Sequence, residues 1–210
     1  MAEYADEPEL VRRAARAAGR AGFGRSCHPA QGRLLRVLAG GVAGGTIGET
    51  GTGFGVGLAW LAAGAGPGTT LTSVEQDPGR HAAAAELFAG VPNVTLRHGD
   101  WTDLAAAAPF DLLVLDGGGQ GKGAEPPLEP RDWLRPQGCL VVDDFTPMSS
   151  WPPKFRGEPD EARLHWLRHP DLLATELRLA PGLATVVARY VTPAPGPARR
   201  SSRTPSGLAG

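Results

Sequence analysis

Between about residues 45 and 143, short apolar runs alternate with longer stretches patterned for helices. The runs 45–49, 70–75, 94–97, 111–116 and 138–143 read as strands, and 56–63, 79–88 and 128–134 as helices. Alternation of this kind predicts a parallel sheet with crossover helices. Leu112, Leu113, Val114 and Leu115 are apolar at every position, as a strand buried on both faces requires. Gly64, Gly66, Pro67 and Gly68 end the first of these helices, and Pro92 precedes the third strand.

The flanks carry different patterns. Residues 7–20 predict a polar, Ala-rich helix whose thin apolar face is Leu10, Ala14, Ala17 and Ala18. Such a face suits a surface helix or one that contacts a partner, including a second copy of the chain. A second helix is expected at 31–38, with Leu34, Leu35 and Leu38 on one side and Pro29 suited to its first turn. Beyond the fifth strand, 160–169 reads as a helix. The runs 172–179 and 183–191 then flank Ala180-Pro181-Gly182, which predicts a hairpin. Residues 192–210 are Pro, Ala, Gly, Ser and Arg without periodicity, so a disordered tail is expected there. The chain thus divides into a helical segment at 1–40, a main domain at 41–191 and the tail.

Composition narrows the class. The 210 residues are enough for one α/β domain, and a net charge of -1 gives no reason to expect nucleic acid. No apolar run reaches the length of a membrane span, and no apolar stretch follows the acidic N-terminus as a signal peptide would need. Cys27 and Cys139 are the only cysteines, and they lack metal-finger spacing. Two free thiols in a reducing compartment is the reading, which makes the expected location cytoplasmic. The five histidines offer one helical pair, His165 and His169, expected on a solvated face.

The densest chemical signal is Glu49-Thr50-Gly51-Thr52-Gly53-Phe54-Gly55-Val56-Gly57, between the first strand and the first crossover helix. Glycines there let backbone approach a ligand, and a helix N-terminus behind them offers free amides. Alone, such a turn fits a nucleotide, a dinucleotide or S-adenosylmethionine (SAM). Three further acids sharpen it: Glu75, Asp100 and Asp116 follow the next three strands. Pockets of open α/β sheets lie at those strand ends, and an acid after the second strand can take ribose hydroxyls. Trp101, beside Asp100, could lie against an adenine ring.

With these residues the chain resembles the class I SAM-dependent methyltransferases. Glu49 stands two residues before the first glycine of a GxGxG pattern (Gly51, Gly53, Gly55), and the terminal hairpin is present. The resemblance implies a Rossmann-like, doubly wound, mostly parallel α/β sheet of seven strands ending in an antiparallel hairpin. It implies that Glu49, Gly51, Thr52, Gly53 and Gly55 hold the methionine portion of the cofactor. Glu75 would hold the ribose, and Asp100 and Trp101 the adenine, with Gln76 and Asp116 also in the cofactor site.

Within that superfamily the chain is similar to the small O-methyltransferases of the catechol and caffeoyl-CoA type. The stretch His28-Pro29-Ala30-Gln31-Gly32 resembles their segment before the first strand. That group implies a small-molecule acceptor, methylated on a hydroxyl oxygen. It also implies a divalent cation such as Mg²⁺ held by Asp116, Asp143 and Asp144, with Asp116, Asp144 and Lys122 as catalytic candidates. Two positions depart from the group's pattern: Asp144 replaces an Asn, and Gly119 stands where a Lys belongs. Lys122 would then have to reach in from the Gly-rich loop. A non-catalytic SAM-binding or assembly protein, and an NAD-dependent oxidoreductase, are the competing readings. Trp151 and Phe155 follow the fifth strand as either an aromatic lid or core cover.

Overall fold

The computed structural model describes residues 7–191; the expected tail at 192–210 lies outside the described residues. A seven-stranded sheet forms the centre. Its strands are β1 (Thr46–Thr50), β2 (Thr70–Glu75), β3 (Val94–His98), β4 (Phe110–Leu115), β5 (Leu134–Phe145), β8 (Leu172–Ala180) and β9 (Leu183–Tyr190). They lie in the order β3-β2-β1-β4-β5-β9-β8. β1 to β5 are parallel, and β9 inserts antiparallel between β5 and β8. This is the expected doubly wound sheet with its terminal hairpin. A separate two-stranded ribbon, β6 (Lys154–Phe155) and β7 (Glu158–Pro159), was not anticipated.

Alternation along the central strands feeds two cores. Leu112 and Val114 of β4, with Cys139 and Val141 of β5, face one core; Leu113, Leu115, Leu140 and Val142 face the other. On the first side lie α1 (Glu9–Arg20), α2 (Pro29–Gly40), α3 (Val56–Gly64) and α4 (Pro78–Phe88). On the second lie a 3₁₀ turn at Trp101–Ala107, the short α5 (Pro130–Trp133) and α6 (Glu161–Arg168). Pro29 sits at the first turn of α2, as its fixed φ favours. Every residue from Val56 to Leu61 is buried, so α3 is apolar all round because it is enclosed all round.

Three expectations need correction. The helix read at 128–134 shrinks to four residues, because Leu134 already pairs with Phe110 as the start of β5. α1 is no free surface helix: Val11, Ala14 and Ala18 are fully buried against α3 and α4. Alanines make this face thin in sequence, and they also let it approach a neighbouring helix closely. The apolar face that suggested a dimer contact is therefore used within the chain. His165 and His169 are not solvated either. Their rings pack edge-on at 5.3 Å, and His165 also packs on buried Trp166 at 4.7 Å.

The end of α6 holds a buried ion network. Arg163, only 1% exposed, donates from Nε to Asp160 Oδ2 (3.0 Å) and from Nη1 to Glu176 Oε2 (2.8 Å). Glu176 Oε1 accepts from the Met148 amide at 2.9 Å, which ties the segment after β5 to the hairpin. Among the described residues, no helix is long and apolar enough to cross a membrane.

Candidate functional site

The chain runs outward from β1 to β3, then returns to β4 beside β1. That reversal makes a crevice at the C-terminal ends of β1 and β4, where open α/β sheets bind ligands. A cavity of about 820 Å³ lies there. At its floor the turn after β1 meets the turn after β4. A Cβ on Gly51 (φ +85°) would sit 2.6 Å from the Gly117 Cα, and one on Gly117 would sit 2.5 Å from the Gly51 Cα. No side chain fits between these two backbones, which explains glycine at both places.

The expected residues are distributed unevenly around this cavity. Gly51, Thr52, Gly53, Glu75, Gln76, Trp101, Asp116, Asp143 and Asp144 all line it. Gly55 lies just behind it as the left-handed residue before α3. Glu49 lies one layer deeper, 1% exposed, and accepts from Ser73 Oγ at 2.6 Å. Its Oε1 occupies the place a Cβ on Gly57 would need, 2.6 Å away, so Gly57 makes room for the carboxylate. Burial, reinforced by Glu75 and Asp143 and offset by Ser73, pushes the Glu49 carboxyl up to about 8.

Glu75 is 4% exposed and held on both oxygens, though unequally. Oε2 accepts from the Gly53 amide (2.8 Å). Oε1 accepts from the Asp77 amide (2.9 Å) and from Arg80 Nε (3.1 Å) and Nη2 (2.8 Å). Oε2 therefore keeps the freer lone pair for a hydroxyl. Asp100 does not line the cavity. It caps the 3₁₀ turn, with Oδ1 accepting from the Thr102 amide and hydroxyl, and these bonds hold its carboxyl below the usual range. Trp101 does line the cavity, its indole pressed on Gly118 and stacked 5.7 Å from Trp133. The Gly-rich stretch after β4 is thus packed against Trp101, not free.

Three carboxylates gather at the other end. Asp116 is raised well above its usual range, first by burial and then by Asp143, Glu49 and Asp144, with Lys122 opposing. Asp143, 7% exposed, is raised to about 6 by burial, although its Oδ1 accepts from the Asp144 amide at 2.7 Å. Asp144 takes a left-handed φ of +66° where the β5–β9 register shifts, a conformation that Asp and Asn adopt more readily than most side-chain-bearing residues. Lys122 does not line the cavity. Its stem is exposed, but its ammonium donates to the carbonyls of Asp143 and Asp144 (2.9 Å for the latter) and lies 3.9 Å from the Phe145 ring centroid. The enclosure lowers its pKa. The resemblance cast Lys122 as catalytic; the structure makes it a staple on the end of β5.

As placed, the acids do not form a metal centre. Among the described residues, no group of three or more His, Cys, Asp or Glu is drawn together closely enough to hold an ion. One Asp143 oxygen is committed to the Asp144 amide, and the Lys122 ammonium covers the carbonyls of Asp143 and Asp144.

The sequence did not point to three walls of the cavity. Residues 23–28, between α1 and α2, cross its mouth as a strap, with the buried thiol of Cys27 and the imidazole of His28 facing in. His28 also caps α2, its Nδ1 accepting from the Ala30 amide at 3.1 Å. The hairpin tip Ala180 to Leu183 forms a second wall, because β9 runs antiparallel to β5 and pairs Ala184 with Phe145. Arg80 is the third; its position five residues after Glu75, at the start of α4, was the available signal. Trp151 and Phe155 are 59% and 55% exposed, and neither is core cover nor cavity wall.

Known proteins share this fold. Residues 49–145 match the family described as Methyltransferase domain. Among solved structures, the chain is similar to the O-methyltransferase TomG of Streptomyces achromogenes, involved in tomaymycin synthesis and solved with SAM. The identity is 22%, over 89% of this chain and 92% of that one, with a TM-score of 0.69. An O-methyltransferase from Bacillus cereus in complex with SAH is 20% identical over 89% and 92%, with a TM-score of 0.70. The SAH-bound methyltransferase PaMTH1 of Podospora anserina is 18% identical over 88% and 89%, with a TM-score of 0.66. No curated protein matches the sequence. The fold is that of the class I methyltransferases. Residues 49–145 thus carry a methyltransferase domain, set inside a fold shared with methyltransferases solved with SAM or SAH.

Proposed function

We propose that the protein transfers the methyl group of SAM to a hydroxyl oxygen of a small-molecule acceptor. The observation that carries this is one cavity with two chemically distinct ends. A buried carboxylate at the end of β2, Glu75, suits a ribose, while Asp116, Asp143 and Asp144 gather where β4 and β5 end. Trp101 offers an indole beside the first end for the adenine. The loop 51–55 offers backbone to the methionine portion, with Glu49 beneath it. Methyl transfer asks the protein mainly for positioning, so an acceptor oxygen must be held in line with the sulfonium carbon.

An acceptor hydroxyl must also lose its proton. Burial first, then a neighbouring carboxylate (Asp143 beside Asp116, Asp144 beside Asp143), raises the pKa of both Asp116 and Asp143, and an acid so placed is a better base than an ordinary aspartate. We assign the general base to this pair and derive no step through a metal, since the donors as placed do not fit one. A cation remains the second reading because three carboxylates share one cavity end, and a cation would relieve their repulsion as well as a proton does.

Two measurements separate these readings. Calorimetry should show one SAH bound per chain, unaffected by EDTA. Methyl transfer to a catechol probe should survive EDTA, and Asp116→Asn should lower turnover by roughly a hundredfold or more while SAH affinity holds. Turnover abolished by chelation and restored by Mg²⁺ would replace the base with a metal. Failure of the wild-type protein to bind SAH would remove the whole proposal.

A further inference from the structure

Four elements close on one another at the end of the cavity assigned above to the ribose. The Gly53 amide donates to Glu75 Oε2 at 2.8 Å. Glu75 Oε1 accepts two hydrogen bonds from Arg80. The Arg80 guanidinium lies over the Phe23 ring, 5.7 Å from its centroid. Phe23 returns to the start, since a Cβ on Gly53 would stand 3.3 Å from its ring. The circuit runs from cofactor loop to ribose acid to α4 to strap and back. Phe23 is further seated on Phe54 at 5.3 Å, and Arg25 approaches its ring at 5.9 Å.

We propose that Arg80 is a positioning residue that couples the ribose site to the strap over the cavity. This rests on the cofactor reading above. Arg80 has two tasks in that role. By taking Oε1, it turns the Glu75 carboxylate so that Oε2, with one backbone donor, is the oxygen presented to a ligand. By offering its face to Phe23, it fastens residues 23–28 across the mouth of the cavity, and that strap ends in Cys27 and His28 near the three aspartates. A ribose that settles on Glu75 therefore steadies the strap, and the strap walls the place where the acceptor must sit. A planar guanidinium can hold a carboxylate with two nitrogens while stacking on a ring; an ammonium cannot do both.

The test uses SAH as ligand, with the full chain and four proteins: wild type, Arg80→Met, Arg80→Lys and Phe23→Leu, plus the Arg80→Met/Phe23→Leu double variant. Arg80 is one-quarter exposed, so Met should fold, and the melting temperature checks that. Arg80→Met should raise the SAH dissociation constant roughly tenfold, the scale of one charge-assisted hydrogen bond, and Arg80→Lys should recover only part of this. The double variant should bind little worse than Arg80→Met alone, because both changes break one latch. Hydrogen exchange should show SAH slowing the amides of residues 23–28 in the wild type but not in Arg80→Met. SAH affinity within twofold of wild type in both Arg80 variants would overturn the proposal, as would full additivity in the double variant. If the wild type itself binds no SAH, the cofactor reading has failed, and this proposal falls with it.

Discussion

Replacing Glu75 with alanine is expected to weaken SAH binding by roughly 2–4 kcal/mol, from one or two charge-assisted hydrogen bonds at about 1.5–3 kcal/mol each. The geometry favours the lower half of that range for the direct contact. Oε1 already takes three donors, so only Oε2 has ready capacity for a hydroxyl. The remainder would come from what Glu75 organises: without it, the Gly53 amide and the Arg80 guanidinium both lose their acceptor. Glu75→Gln should be intermediate, since an amide oxygen can still accept but carries no charge. Calorimetry with SAH measures the loss, and thermal melting separates it from unfolding. Undiminished affinity in the folded Ala variant would detach the ribose from the end of β2.

Much of this is legible in the sequence, for identifiable reasons. The central strands announced themselves because both their faces are buried: Leu112 to Leu115 supply two cores at once, which no amphipathic pattern does. The position of the cavity followed from strand order, because acids at the ends of successive parallel strands must meet along one edge of the sheet. Side-chain placement was less legible. Glu49 and Asp100 share the strand-end position of Glu75, yet one is buried beneath the loop and the other caps a 3₁₀ turn. Periodicity fixes which end of a strand a residue occupies; it does not fix which neighbour takes its oxygens. The seat of Lys122 was hidden for a related reason. A lysine in a glycine-rich stretch reads as mobile, but the carbonyls of a bulged strand end and the ring of Phe145 give its ammonium a seat. From sequence the hairpin tip reads as a turn, and the strap is only the gap between two expected helices. That they wall the cavity depends on contacts far apart in sequence.

Glu49 yields a prediction in which stability and function should pull apart. Its carboxyl is raised to about 8 in the folded chain, first by burial, and an unfolded glutamate titrates near 4.5. The folded state therefore binds this proton more tightly than the unfolded state does. On that sign, the group costs nothing below about pH 4.5, costs progressively more as pH rises, and reaches its full cost above about pH 8. A shift of this size corresponds to several kcal/mol. Glu49→Gln removes the titration while keeping an oxygen for the Ser73 hydroxyl, which donates at 2.6 Å. Urea unfolding should show the two proteins nearly equal at pH 5 and the Gln variant increasingly the more stable towards pH 8. A difference that does not change with pH would show that the carboxylate is not buried at this cost. The same variant should bind SAH more weakly, because the α-ammonium of the ligand's amino-acid end would stabilise an ionised Glu49 and gains less from an amide. A buried acid that weakens the empty protein at alkaline pH is then explained by the charge it meets when the cofactor enters.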